Sequence, residues 1–162
     1  MVFGIDFDNT ISTNNYPFAG ELIPMAKEVI NTLVENGHII MLWTVRGNET
    51  VEENGYVNAL NKAKEFIEEN EIKVHYFNKS PMQPSSLPDS SPKQYVDYYI
   101  DDISLGTPLM NYKNNLVVNW FIICKYLARV GAISQEQLNN LQTIAQYKYP
   151  YVFPYMCRTN DF

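Results

Sequence analysis

Val2-Phe3-Gly4-Ile5-Asp6-Phe7-Asp8-Asn9-Thr10 decides how the rest of this chain is read. The apolar run from Val2 to Phe7 has the length and composition of a short buried strand, and it stops abruptly in acid. Asp6 and Asp8 are two residues apart, so an extended backbone points both carboxylates the same way and turns Phe7 into the core. Two adjacent carboxylates repel, which pushes one of them towards its protonated form unless a cation lies between them. A bound Mg²⁺, a hard ion that takes oxygen ligands, removes that cost. The plain alternative for Asp-x-Asp alone is a loop cap or a solvated acidic turn.

Further runs repeat the pattern of an apolar strand ending in polar residues. His38-Ile39-Ile40-Met41-Leu42-Trp43 stops at Thr44-Val45-Arg46-Gly47, and Tyr98-Tyr99-Ile100 stops at Asp101-Asp102. Between them lie helical patterns. Met25, Ala26, Val29, Ile30, Leu33 and Val34 recur at helical spacing behind Pro24, and Gly37 ends that segment. A second helix is predicted from about Val51 or Tyr56 to Asn70, and a third strand over Ile72 to Phe77. Ser12 to Gly20 reads as a polar loop. Ser80 to Pro92 reads as another, with four prolines and five serines. Val117 and Val118 suggest a fifth strand, Trp120 to Val130 a helix, and Ser134 with Gln137 a capping box opening a last one.

Strand alternating with helix predicts an α/β fold, a Rossmann-like parallel sheet flanked by crossover helices. Ligands of such sheets bind beyond the carboxyl ends of the strands. Asp6 and Asp8, Thr44 and Arg46, and Asp101 and Asp102 all belong there.

Composition narrows the partners. The 162 residues carry 12 Lys+Arg against 18 Asp+Glu, a formal net charge of −6. Counterion displacement on nucleic acid needs excess positive charge, so general nucleic-acid binding is not expected. A single phosphate-bearing substrate held by a local Lys or Arg remains compatible. Cys124 and Cys157 have no metal-type spacing and form no disulfide framework, which favours a reducing compartment. No basic leader follows Met1, and Leu116 to Val130 is interrupted by Asn119, Lys125 and Arg129, too polar to span a bilayer. The expectation is a cytoplasmic protein with no membrane partner.

The motifs now carry a resemblance. Asp6-Phe7-Asp8-Asn9-Thr10 is similar to the Asp-x-Asp-x-Thr signature of haloacid dehalogenase-like phosphatases. Thr44 resembles their second motif, Lys93 their third and Asp101-Asp102 their fourth, in order, over residues 1 to about 105. Leu42-Trp43-Thr44-Val45-Arg46, Asp97-Tyr98-Tyr99-Ile100-Asp101-Asp102, Leu105-Gly106-Thr107-Pro108-Leu109 and Val118-Asn119-Trp120 resemble a group of small hydrolase-like proteins of Bacteroides-type bacteria and their phages. That similarity extends to about residue 133, giving a catalytic region 1–133 followed by a helix and aromatic tail, 134–162.

The resemblance implies roles. Asp6 is the nucleophile that becomes an aspartyl-phosphate, and Asp8 protonates the leaving oxygen and then activates water. Mg²⁺ is held by Asp6, the backbone carbonyl of Asp8 and a fourth-motif acid, Asp102 in preference to Asp101. Thr44 and Lys93 hold phosphoryl oxygens, and Arg46 and Asn9 add substrate contacts. Asn9 stands where many relatives have glycine. The intervals Thr10–Thr44 and Thr44–Lys93 are filled by the expected helices and strand, so no large cap domain fits. The implied activity is hydrolysis of a phosphomonoester, a nucleotide or a sugar phosphate, with the Asp101-Asp102 pair similar to that of deoxyribonucleotidases. Transfer to an acceptor other than water belongs to the same chemistry. The alternative of a different class is a binding or structural component with this fold, for example of a phage particle.

Tyr147, Tyr149, Tyr151, Phe153 and Tyr155 alternate along the last segment. In an extended segment they form one aromatic edge. That edge either packs on its own domain or docks on another subunit or a protein partner.

Overall fold

The structure is a computed structural model, and it describes residues 1–47, 51–52, 55–56, 58–83 and 93–157. Among the described residues, ten strands and five helices follow in chain order: β1 (Val2–Ile5), β2 (Ser12–Asn15), β3 (Phe18–Leu22), α1 (Ala26–Glu35), β4 (Ile39–Leu42), β5 (Val51–Glu52), β6 (Gly55–Tyr56), α2 (Ala59–Glu69), β7 (Tyr76–Phe77), β8 (Tyr98–Ile100), β9 (Leu109–Tyr112), β10 (Asn115–Val118), α3 (Trp120–Arg129), α4 (Gln135–Lys148) and α5 (Phe153–Met156).

A four-stranded parallel sheet in the order β7-β4-β1-β8 forms the centre, flanked by helices, so the architecture is α/β and Rossmann-like. β1 is buried along its whole length, as an interior strand of a parallel sheet covered on both faces must be. Its register places Ile5 beside Leu42 of β4 and Ile100 of β8. The pairing continues one residue further, with the Trp43 N–H donating to the Ile5 carbonyl at 2.8 Å and the Asp6 N–H to the Ile100 carbonyl at 2.9 Å. Trp43, Asp6 and Asp101 therefore stand abreast just past the strand ends.

Helix boundaries follow local chemistry. α1 ends in a Schellman motif: Gly37, at φ 77°, donates to Val34 and His38 donates to Leu33. Asn58 and Asn119 cap α2 and α3 through their side-chain oxygens, and Ser134 with Gln137 forms the capping box of α4. α1, α3 and α4 pack on one another, and Phe3, Ile5, Phe7, Ile30, Leu33, Trp120, Leu127 and Leu141 belong to one continuous core.

Three segments differ from the sequence reading. The stretch Ser12 to Gly20 is the bulged antiparallel hairpin β2–β3, not a loop; Ser12 and Thr13 are buried, so its two polar strands are held by side-chain bonds to backbone. Val117 and Val118 belong to a second hairpin, β9–β10, outside the central sheet. The tail is not extended. Residues 135–148 and 153–156 are helical, so alternation does not make one edge. Phe153 meets Phe121 edge-on with ring centroids 5.3 Å apart, the Tyr149 hydroxyl donates to Glu28, and Tyr147 and Tyr151 face solvent. Much of the predicted Ser80–Pro92 loop lies outside the described residues, as does the Tyr155 side chain. No described helix is long and apolar enough to cross a membrane.

Candidate functional site

The chain turns sharply after Asp6. The Phe7 carbonyl accepts from the N–H groups of Ile11 and Ser12 at 2.9 and 3.0 Å, and Asn9 takes a left-handed φ of 53°. Asparagine tolerates this region better than most residues, which accounts for its use here. The turn is locked from the far end of the chain: Trp120 Nε1 donates to the Thr10 carbonyl at 2.6 Å, and the Val118 N–H donates to the Asn9 carbonyl at 2.8 Å.

This folding places Asp6, Asp8, Asn9, Thr44, Asp101 and Asp102 around one open cavity of about 310 Å³ at the carboxyl ends of the strands. Carboxylate oxygens of Asp6, Asp101 and Asp102 lie within 4.8 Å of one another. Burial strips water from the Asp6 carboxyl and pushes its pKa from 3.8 to about 7, with repulsion from Asp101, Asp102 and Asp8 adding to the rise. Asp102 is raised as well, chiefly by burial. The donor set is all hard oxygen, clustered and mutually repelling without a cation, so these residues fit a divalent ion such as Mg²⁺.

Neighbouring side chains orient the acids. Thr10 Oγ1 donates to Asp6 Oδ2 at 3.2 Å and accepts from the Asp102 N–H at 3.2 Å, so one buried hydroxyl links the nucleophile candidate to the fourth-motif loop. Asn9 Nδ2 donates to Asp102 Oδ2 at 3.3 Å, while Asn9 Oδ1 accepts from the Asn14 N–H. Asn9, read from sequence as a substrate contact, thus lines the cavity with its amide tied to Asp102 and to the hairpin. Thr44 is fixed by its N–H donating to Asn78 Oδ1 at 2.8 Å, and its hydroxyl oxygen accepts from the Arg46 N–H, which leaves the hydroxyl proton as a donor.

Two residues lie elsewhere than the sequence reading puts them. Arg46 is not a substrate contact in this structure. It is 1% exposed, with Nε and Nη2 on the two Asp8 oxygens at 2.8 and 2.6 Å, Nη1 on the Pro17 and Ala59 carbonyls, and Nη2 also on the Phe18 carbonyl. Its guanidinium lies over the rings of Phe7, at 4.7 Å, and Tyr16, at 5.4 Å. The planar fork matches a carboxylate better than any lysine would, and here it joins Asp8, the β2–β3 hairpin and the start of α2. Lys93 is exposed and does not line the Asp6 cavity; it borders an adjoining one with Trp43, Tyr99, Asp101 and Ser104.

Sequence reasoning missed Asn78, Thr10 as the hydroxyl linking two acids, and Trp43, which walls both cavities. Trp43 sits beside Thr44 at a strand end, and that position was the available signal.

No protein-family model matches the chain, and no curated protein does. The chain is similar to a solved structure of a conserved protein from Bacteroides thetaiotaomicron, at 27% sequence identity and a TM-score of 0.57, over 85% of this chain and 96% of that one.

Proposed function

We propose that this chain is a Mg²⁺-dependent phosphomonoesterase of the haloacid dehalogenase type, working without a large cap domain. The observation that carries the reading is the convergence of Asp6, Asp101, Asp102 and the Thr44 hydroxyl on one cavity at the sheet's carboxyl edge. An acid cluster of this kind opposes folding stability while it is ionised unless a cation neutralises it, and perturbed carboxyls of this sort gather at functional sites.

In this reading Asp6, the backbone carbonyl of Asp8 and Asp102 hold the metal, with Asp101 beside them. The ion supplies charge neutralisation for the phosphoryl oxygens and for Asp6. An Asp6 oxygen attacks phosphorus, the P–O bond to the leaving alcohol breaks, and Asp8 delivers the proton to that oxygen. Water then attacks the aspartyl-phosphate, Asp8 takes its proton, and inorganic phosphate leaves with Asp6 restored. Asp8 can exchange protons while paired, because each carboxylate oxygen bonded to Arg46 keeps a second lone pair. The Thr44 hydroxyl donates to a phosphoryl oxygen, and Lys93 supplies positive charge from the far side of Asp101.

Phosphate release from phenyl phosphate and a panel of nucleotides and sugar phosphates, with Mg²⁺ and with chelator, tests this. Turnover that requires Mg²⁺ and disappears in Asp6→Asn is expected. A wild type inert across the whole panel would overturn it and favour a binding or structural role for the same fold.

A further inference from the structure

The second cavity, of about 440 Å³, opens beside the first and shares Trp43 and Asp101 with it. Its walls are aromatic. Trp43 and Tyr99 lie with ring centroids 6.1 Å apart and planes inclined at 55°. Tyr99 is fixed at both ends of its ring. Its hydroxyl donates to the Gln94 carbonyl at 2.7 Å, and the ring lies on β1 over Gly4, where a Cβ would come within 2.7 Å of Tyr99 Cδ1. Gly4 in the central strand therefore leaves the space that Cδ1 and Cε1 of the Tyr99 ring occupy. The neighbouring first cavity is lined in part by Val45, 97% exposed, and Ile103, 86% exposed.

We infer that this aromatic annex is the leaving-group subsite, and that it selects phosphomonoesters of flat aromatic or heterocyclic alcohols over those of polyols. The inference rests on the phosphomonoesterase reading for its chemistry, because it takes the reacting phosphorus to sit at Asp6. A phosphoryl group there projects its ester oxygen past Asp101 towards Trp43. The half-buried Trp43 indole lining the annex favours a planar ring, and stacking is tolerant of which ring it is. A ring stacked on the indole gains contact area that a polyol lacks, while Lys93, Asp101 and Ser104 complete the lining of this open annex among the described residues.

The test uses two non-hydrolysable probes of equal charge, phenylphosphonate and methylphosphonate, with Mg²⁺ present. Calorimetry on the wild type is expected to show phenylphosphonate binding about tenfold tighter, a margin of the size that stacking on one ring supplies. Trp43→Ala is expected to abolish the margin, and Trp43→Phe to retain most of it. The chain has two tryptophans, and Trp120 is fully buried, so saturable quenching of the Trp43 emission by phenylphosphonate gives a second readout. Equal affinities, no binding of either probe, or a margin that survives Trp43→Ala would overturn the subsite. Should Trp43→Ala not fold, Trp43→Phe and Tyr99→Leu carry the comparison. Hydrolysis is scored separately on phenyl phosphate and glycerol phosphate. Aryl-selective binding without hydrolysis of either ester would leave the annex standing and overturn the phosphomonoesterase.

Discussion

Arg46 clasps both oxygens of Asp8 from inside the protein, with Nε at 2.8 Å from one and Nη2 at 2.6 Å from the other, while its remaining donors hold three backbone carbonyls. The arginine side chain is fully buried and Asp8 is about one-fifth exposed on the cavity side. Removing one member of such a pair leaves the other uncompensated in low dielectric. Arg46→Met is expected to lower unfolding stability by roughly 3–5 kcal/mol, read as a shift in the denaturant midpoint. Arg46→Lys is expected to recover only part of that loss, because an ammonium cannot reach two carboxylate oxygens and three carbonyls together. An unchanged midpoint in Arg46→Met would contradict this account.

Asp6 gives the protein a pH dependence whose sign is fixed by its environment. Its carboxyl titrates at 3.8 when exposed and at about 7 in the fold, so between these values the folded state binds more protons than the unfolded state. Its contribution to stability is present below pH 4 and is lost as pH rises towards 7. Thermal melts in chelator are expected to show Asp6→Asn more stable than wild type at pH 8, with the difference shrinking at pH 5. A difference that grows towards low pH would refute the assignment.

Divalent ions act in the opposite direction. On the proposed reading Mg²⁺ would take the ionised cluster of Asp6, Asp101 and Asp102 and not the unfolded chain, so at pH 8 it is expected to raise the melting temperature in a concentration-dependent way. Asp102→Asn is expected to weaken Mg²⁺ binding more than Asp101→Asn, in calorimetric titrations run side by side. The reverse order would make Asp101 the ligand.

Trp120 ties helix α3 to the acidic turn through its bond to the Thr10 carbonyl. Trp120→Phe keeps the ring but leaves that buried acceptor unpaired. It is expected to cost about 1–3 kcal/mol of stability. Because Thr10 also holds Asp6, Mg²⁺ affinity is expected to fall with it, whereas Leu138→Ala in α4 is expected to lose stability and keep its Mg²⁺ affinity.

The sheet and the acid cluster were legible because each rests on local pattern. Apolar runs of strand length end in Asp6, Thr44 and Asp101, and parallel pairing brings such ends together whatever lies between. The hairpin β2–β3 was not legible, since Ser12, Thr13, Asn14 and Asn15 read as loop residues, and their antiparallel pairing with β3 is reinforced by side-chain bonds to Gly20, Glu21 and Ala19. Arg46 was misread for a related reason. An arginine beside a phosphate-type site looks like a ligand, and its burial depends on carbonyls of Pro17, Phe18 and Ala59 that no spacing rule brings together. The alternating tail makes no single edge because Tyr147 lies in α4, Tyr149 and Tyr151 between the helices and Phe153 in α5, with Phe153 and Tyr149 packing on the chain's own Phe121 and Glu28.

The bonds from Val118 and Trp120 to the loop behind Asp6 also set an order of events during synthesis. The acidic turn is made before the residues that clamp it, and its final shape waits for residues made more than a hundred positions later. Until α3 emerges, a nascent chain carries the acids without the clamp that aligns them, so the cluster reaches its final geometry late in maturation.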